Sequence, residues 1–294
     1  MGILSFHKGP LPGEPRSAHF LDVEGARVRY LDTAHTTGEA KPSTVVLLHG
    51  FASSSDIWAS IIPPLAAKHR VIALDLKGFG WTDRPRGDYS PEAQAALVLK
   101  LLELRGVERA ALVAHSWGSS VALAAAMRAP ERVTSLALFD AWVYEAQLPH
   151  FFHWARAEGV GEAMFGLFYQ QSPEMRVGLA FHDPKFITPQ LLARMHANMT
   201  KPGTTAAALA AVRGQRFHRV ERFYRNIEQP TLLLWGREDR VSTLPYGERL
   251  ARELPDAKLV VYPACGHFPM IEARDASLRD LEEFLARTDR STQS

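Results

Sequence analysis

Three residues have the types and the chain order of a nucleophile, an acid and a base: Ser116, Asp239 and His267. Ser116 sits in Ala114-His115-Ser116-Trp117-Gly118, directly after an apolar run that reads as a strand and directly before a helical pattern. A serine at so tight a corner exposes its hydroxyl at the strand's end and needs small neighbours. Ala114 and Gly118 meet that need, with Ala in the first position of G-x-S-x-G. A helix N-terminus behind Ser116 would aim N–H groups at developing negative charge. Without chemistry, the same serine would be an ordinary N-cap. His267, in Gly266-His267-Phe268, follows another strand-like run and could take the serine proton as general base. Asp239, in Trp235-Gly236-Arg237-Glu238-Asp239, could accept the His Nδ1–H and fix the tautomer. Glu238 is its neighbouring competitor, and a helix N-cap is the plainer reading of Asp239. Asp140, at the end of the run 133–139, is the second-choice acid. The N–H groups of Phe51, in His49-Gly50-Phe51, and of Trp117 are candidate oxyanion donors. Such a set performs acyl transfer: serine attacks a carbonyl, and water releases the acyl group.

Other reactive residue types read as structural. His49 leads into a glycine turn, Asp75 orders the loop after the run 71–74, and Cys265 is a small buried loop residue. One cysteine makes neither an intrachain disulfide nor a cysteine-based zinc site. No His/carboxylate cluster has ligand spacing, so no metal or cofactor is expected. Arg213, Arg216, Arg219, Arg222 and Arg225 recur every third residue. On an α-helix that spacing drifts about 60° per step. The expected structure is a solvated amphipathic helix with Phe217, Val220 and Phe223 or Tyr224 inside, not a nucleic-acid stripe.

The elements that must position these residues follow from the apolar pattern. Runs 44–48, 71–74, 110–114, 133–139, 231–235 and 258–262 are short and wholly apolar, as strands buried on both faces are. Helical patterns at 56–68, 91–105, 117–129, 245–254 and 274–287 alternate with them. This predicts an α/β architecture with a mostly parallel central sheet flanked by helices. Residues 18–34 read as a hairpin turning at Glu24-Gly25, residues 1–17 as a loose arm, and 35–43 as a polar loop. The alternation stops at 141–226, an aromatic-rich stretch divided by Pro149, Pro173, Pro184, Pro189 and Pro202. The expected division is therefore a core at 1–140, a helical cap at 141–226 and the rest of the core at 227–294. The chain has 294 residues, 46% apolar and 22% charged, with 34 Lys and Arg against 32 Asp and Glu. A net charge of +2 gives no field for nucleic acid. No apolar run is long enough to span a membrane. With no apolar leader, a cytoplasmic location is expected.

From about residue 18 to 288 the chain resembles the α/β-hydrolase fold superfamily. Asp75-Leu76-Lys77-Gly78-Phe79-Gly80-Trp81-Thr82-Asp83-Arg84-Pro85 is similar to its D-x-x-G-x-G-x-S turn. HGFASSSDIW and AHSWG resemble the epoxide hydrolase and haloalkane dehalogenase branch, whose elbow carries an Asp nucleophile. Ser116 stands in that place, which excludes their alkyl-ester chemistry. AHSxG is also similar to elbows of some bacterial lipases and esterases. The resemblance implies a serine carboxylesterase for hydrophobic esters, with the cap shielding an apolar pocket. A C–C bond hydrolase of vinylogous diketones is the alternative on the same triad. A non-catalytic ligand-binding protein on this scaffold is the alternative of another class. The expected partner is a small hydrophobic ester, with neither nucleic acid nor membrane, for a monomer or homodimer.

Overall fold

The computed structural model describes residues 19–34, 43–168 and 173–291. The expected arm at 1–17 and nearly all of the polar loop at 35–43 lie outside them. β1 (His19–Val23) and β2 (Ala26–Asp32) form the hairpin at Glu24-Gly25. β3 (Thr44–Leu48), β4 (Arg70–Leu74), β5 (Ala110–His115), β6 (Val133–Phe139), β7 (Thr231–Gly236) and β8 (Ala257–Tyr262) follow. They join one sheet in the order β1-β2-β4-β3-β5-β6-β7-β8. The pairs from β4-β3 to β7-β8 are parallel, and β2 runs antiparallel to β4. The apolar runs are strands because both faces are covered. Val46, Leu48, Leu112, Leu138 and Trp235 enter one core, while Val45, Leu47, Val113, Phe139 and Leu234 enter the other. The parallel register sets the C-terminal ends of β3, β5, β6, β7 and β8 along one edge.

The helices are α1 (Ile62–Ala66), α2 (Pro91–Leu104), α3 (Trp117–Arg128), α4 (His150–Ala155), α5 (Val160–Phe168), α6 (Pro173–Ala180), α7 (Pro189–Met199), α8 (Thr204–Gly214), α9 (Leu244–Glu253), α10 (Pro269–Glu272) and α11 (Arg274–Ser291). α2 starts where Ser90 Oγ accepts the Ala93 N–H, with Pro91 in the first turn. α4 to α8 all lie between β6 and β7, a helical insertion in an otherwise alternating chain. Pro173 and Pro189 open α6 and α7, so the prolines begin helices there. No helix among the described residues is long and apolar enough to cross a membrane.

Two sequence expectations change. The helix expected at 56–68 is a 3₁₀ turn (Ser55–Trp58) followed by α1. Pro63 and Pro64 lack the N–H groups that a continuous helix would use there. The arginine-bearing helix ends with α8, and 3₁₀ turns cover Phe217–Arg219 and Glu221–Asn226. Phe217 and Tyr224 are buried, while Phe223 is 41% exposed. A 3₁₀ turn eclipses residues three apart, so an argument from α-helical drift does not apply to this segment.

Candidate active site

Ser116 stands between the last residue of β5 and the first of α3, with φ 52° and ψ −124°. A non-glycine residue in this region is strained and is held by its surroundings. Its N–H donates to Phe139 O at 2.9 Å, and its carbonyl accepts from Ser119 N and Trp142 N. Two residues on, a Cβ on Gly118 would lie 2.5 Å from His49 O, so only glycine lets α3 start against the loop after β3. That contact sets Phe51 beside the elbow, its ring edge-on to Trp117 at 6.2 Å. The Trp117 N–H, at the first position of α3, has no intrahelical acceptor. Among the described residues, Ser116 Oγ makes no hydrogen bond. The hydroxyl–imidazole contact of such sites often forms only with substrate bound.

His267 and Asp239 meet on the same edge. Nδ1 of His267 lies 2.7 Å from Asp239 Oδ2, and both residues are buried. The other oxygen, Oδ1, accepts the N–H groups of Val241 at 2.7 Å and Ser242 at 3.0 Å. One oxygen thus folds the turn and the other lies against the imidazole; the helix N-cap expected at Asp239 is not there, because α9 begins at Leu244 behind Thr243. Glu238 turns away and accepts the Cys265 N–H at 3.0 Å. The Cys265 thiol is buried, and burial pushes it far above its ordinary range.

Asp140 lies beside this pair but contacts it differently. Oδ1 accepts the Gly236 N–H at 2.9 Å, while Oδ2 is buried without a hydrogen-bond partner. One ligand atom from each of Asp140, Asp239 and His267 falls within a 4.8 Å cluster, the arrangement that could hold a cation. Two of those atoms are already engaged in the Asp239–His267 bond if the same oxygen serves. Burial, then the neighbouring Asp239 charge, raises the Asp140 pKa well above the carboxylate range. A raised acid pKa means that the folded state binds the extra proton, so stability falls as pH rises from the ordinary carboxylate range towards the folded value. Asp140→Asn keeps an acceptor for Gly236 N–H and removes that proton. It is expected to raise the melting temperature, with a gain that grows from mildly acidic to neutral pH. Melts across that range check this, and a gain independent of pH would count against a neutral Asp140.

The remaining polar residues brace the site. His49 Nε2 accepts the Leu76 N–H at 2.9 Å and its Nδ1 faces Gly50 O at 2.7 Å, a fully satisfied loop histidine. Asp75 is likewise structural, holding Ser55 and Trp81 by their N–H groups. Two braces carried no signal in sequence. His115 Nε2 lies 2.8 Å from His267 O and donates to it. Glu272 accepts from Gly266 N at 2.8 Å, His182 N at 2.9 Å and Asp183 N at 3.0 Å.

A cleft of about 200 Å³ opens between α7 and the turn after β3, lined by Ser54, Asp56, Ile57, Leu191, Met195 and Ile271 among others. A larger one, about 560 Å³, lies beside Tyr89, Arg213 and Arg216 and includes none of the residues above. Volume therefore does not mark the site; the convergence of strand ends does.

A family model described as alpha/beta hydrolase fold matches residues 43–274. The chain is 32% identical over 268 residues to a 2-hydroxy-6-oxo-2,4-heptadienoate hydrolase of Pseudomonas putida, covering 87% of this chain and 92% of that protein. It superposes on the meta-cleavage product hydrolase of Pseudomonas fluorescens IP01 with a TM-score of 0.75 at 25% identity, over 92% of this chain and 97% of that one. It also superposes on Est816, described as an N-acyl homoserine lactone degrading enzyme, with a TM-score of 0.72 at 25% identity, over 90% and 100% of the two chains.

Proposed function

The chain belongs to the α/β hydrolase fold family, and on that premise we propose that it is a serine hydrolase cleaving a bond beside a carbonyl carbon. The observation that carries this is the buried Asp239–His267 bond at the sheet edge that presents Ser116 on its strained turn. His267 takes the Ser116 proton as Oγ attacks the carbonyl. The N–H groups of Phe51 and Trp117 stabilise the oxyanion, and Asp239 supports the imidazolium. His267 then protonates the leaving group, and a water that it deprotonates hydrolyses the acyl-enzyme. The helical insertion serves as the cap. Phe152 packs on Phe51 at 5.9 Å and Phe181 stacks on Phe268 at 4.8 Å, beside the catalytic edge. Such aromatics suit the apolar part of a small substrate.

Between the two bond classes, the likeness at 32% identity to a 2-hydroxy-6-oxo-2,4-heptadienoate hydrolase favours carbon–carbon cleavage. A 2-hydroxy-6-oxo-dienoate contains no ester or amide, so hydrolysis must break the carbon–carbon bond next to its 6-keto carbon. In that reaction Ser116 would attack the ketone and the bonding pair would leave into the conjugated acid. Cleavage of a hydrophobic ester, which the sequence alone puts first, is the second reading, and likeness to a lactone-degrading enzyme supports it. Both use one acyl-enzyme.

The test offers the purified protein 2-hydroxy-6-oxohepta-2,4-dienoate and a series of p-nitrophenyl esters of increasing acyl length. Turnover of the dienoate that exceeds the best ester in kcat/KM by at least about 100-fold, or 2.7 kcal/mol of transition-state discrimination, is the expected result. The reverse order restores the ester reading. No turnover together with no fluorophosphonate labelling of Ser116 would move the chain to the ligand-binding class.

A further inference from the structure

We propose that Glu272 is a positioning residue that ties the helical insertion to the loop carrying His267, so that the base is aligned only while the insertion is docked. This rests on the reading of His267 as the general base.

Glu272 closes α10, five residues beyond His267. Its carboxylate takes three backbone N–H groups from two different parts of the chain. Oε1 holds Gly266 N, the residue before His267, at 2.8 Å. Oε2 holds His182 N at 2.9 Å and Asp183 N at 3.0 Å, just after α6 of the insertion. Hydrogen bonds to an ionised carboxylate are about twice as strong as neutral ones. A third bond crosses the same seam, in the other sense: His267 N donates to Ala180 O at 2.6 Å. The segment 180–183 therefore holds the His267 N–H directly and reaches the Gly266 N–H through the shared Glu272 carboxylate. The contact is flush, since a Cβ on Gly266 would lie 2.5 Å from Ala180 O and 2.7 Å from His182 N. Phe181, between these bonds, is 4% exposed and stacks on Phe268.

Substrate entry by an outward movement of the insertion would act on this seam. Moving 180–183 outward breaks the His182 and Asp183 bonds to Glu272, the His267–Ala180 bond and the Phe181–Phe268 stack together. The His267 loop then keeps the His115 and Asp239 contacts but loses its anchor on the insertion side. Closure restores all of them at once. The seam makes docking of the insertion and placement of the imidazole one event, which would restrain the base from acting in an open, wet site.

The test uses the full chain with Glu272→Gln and, from the other side of the seam, Phe181→Ala. Gln keeps the length but offers one acceptor oxygen where Glu offers two. Displacing a catalytic group by about 1 Å costs roughly 100-fold, so partial loosening is expected to lower kcat about tenfold in each variant, with KM changed less than about threefold. The rate of fluorophosphonate labelling should fall by a similar factor. Hydrogen exchange should rise together in segments 177–184 and 263–270, in both variants. An unchanged kcat in Glu272→Gln, or faster exchange in only one of the two segments, overturns the proposal. If Ser116→Ala kept full turnover, the serine reading would fail by itself, while the exchange data would still decide whether the two segments are tied.

Discussion

Ser116→Ala is expected to lower kcat on the order of 10⁴–10⁶-fold, with KM little changed and labelling by fluorophosphonate abolished. The fold should survive, because the bonds that shape the turn run through the backbone: Ser116 N to Phe139 O, and Ser119 N and Trp142 N to Ser116 O. Alanine bears the same positive φ penalty as serine, so the melting temperature should move little. Asp239→Asn should cost about 10⁴-fold by presenting the wrong imidazole tautomer. Asp140→Asn should stay within a few-fold of wild type, since Asp140 makes no hydrogen bond to His267. The two carboxylates are therefore separated by one pair of variants, and near-equal losses would reinstate Asp140 as the acid. Loss in the Ser116 and Asp239 double variant should be far less than the sum of the single losses, because the residues act as a unit. Steady-state kinetics on the better of the dienoate and ester substrates measures all of this. More than roughly 1% residual turnover in Ser116→Ala would sink the acyl-enzyme mechanism.

What could be read from sequence and what could not separate along physical lines. Strands β3 to β8 were legible because a run such as Thr44–Leu48, apolar without alternation, suits only a strand covered on both faces. The Ser116 corner was legible for the same local reason, since small residues must flank it. The choice between Asp239 and Asp140 was open in principle, because both end strands on one edge. It depends on how the loop after β7 curls, and that curl is set by Val241 and Ser242 N–H groups meeting Asp239 Oδ1. His115 and Glu272 left no trace in spacing. Each reaches backbone groups far along the chain, 152 residues for His115 and 90 for Glu272 with His182. Backbone partners impose no residue type, so such braces stay hidden until the fold is known. The arginine series departs from expectation for another reason: a period of three has its drift of about 60° only on an α-helix, and this segment coils as 3₁₀ turns.

Asp75→Ala is expected to destabilise the protein by about 3–5 kcal/mol, the cost of leaving one partner of a buried ion pair behind. Asp75 is fully buried, and Arg29 is 7% exposed. Asp75 Oδ1 accepts Ser55 N and Ser55 Oγ at 2.7 Å each and lies 3.3 Å from the Arg29 guanidinium. Oδ2 accepts Trp81 N at 2.8 Å. Alanine would leave Ser55 N, Ser55 Oγ and Trp81 N without this acceptor, and would leave the buried Arg29 only Ser55 Oγ and the partly exposed Asp56. Burial pushes the Asp75 pKa up, but Arg29, His49 and the two N–H groups prevail and hold it below the ordinary carboxylate value. For an acid depressed in this way, the stabilisation is present above the unfolded pKa and lost as pH falls through the folded one. Wild type should therefore lose this contribution only in strong acid, and Asp75→Ala should show a flatter acid limb. Urea titrations at neutral and acidic pH measure both effects, and a loss below about 1 kcal/mol at neutral pH would contradict them. Removing both charges, in Arg29→Met with Asp75→Leu, should cost less than Asp75→Ala alone, because no charge is then buried unpaired. The effect should also reach catalysis. Ser55 continues the loop that starts at Gly50 and Phe51, so freeing its N–H loosens one wall of the proposed oxyanion site, and kcat in Asp75→Ala should fall even where the protein remains folded.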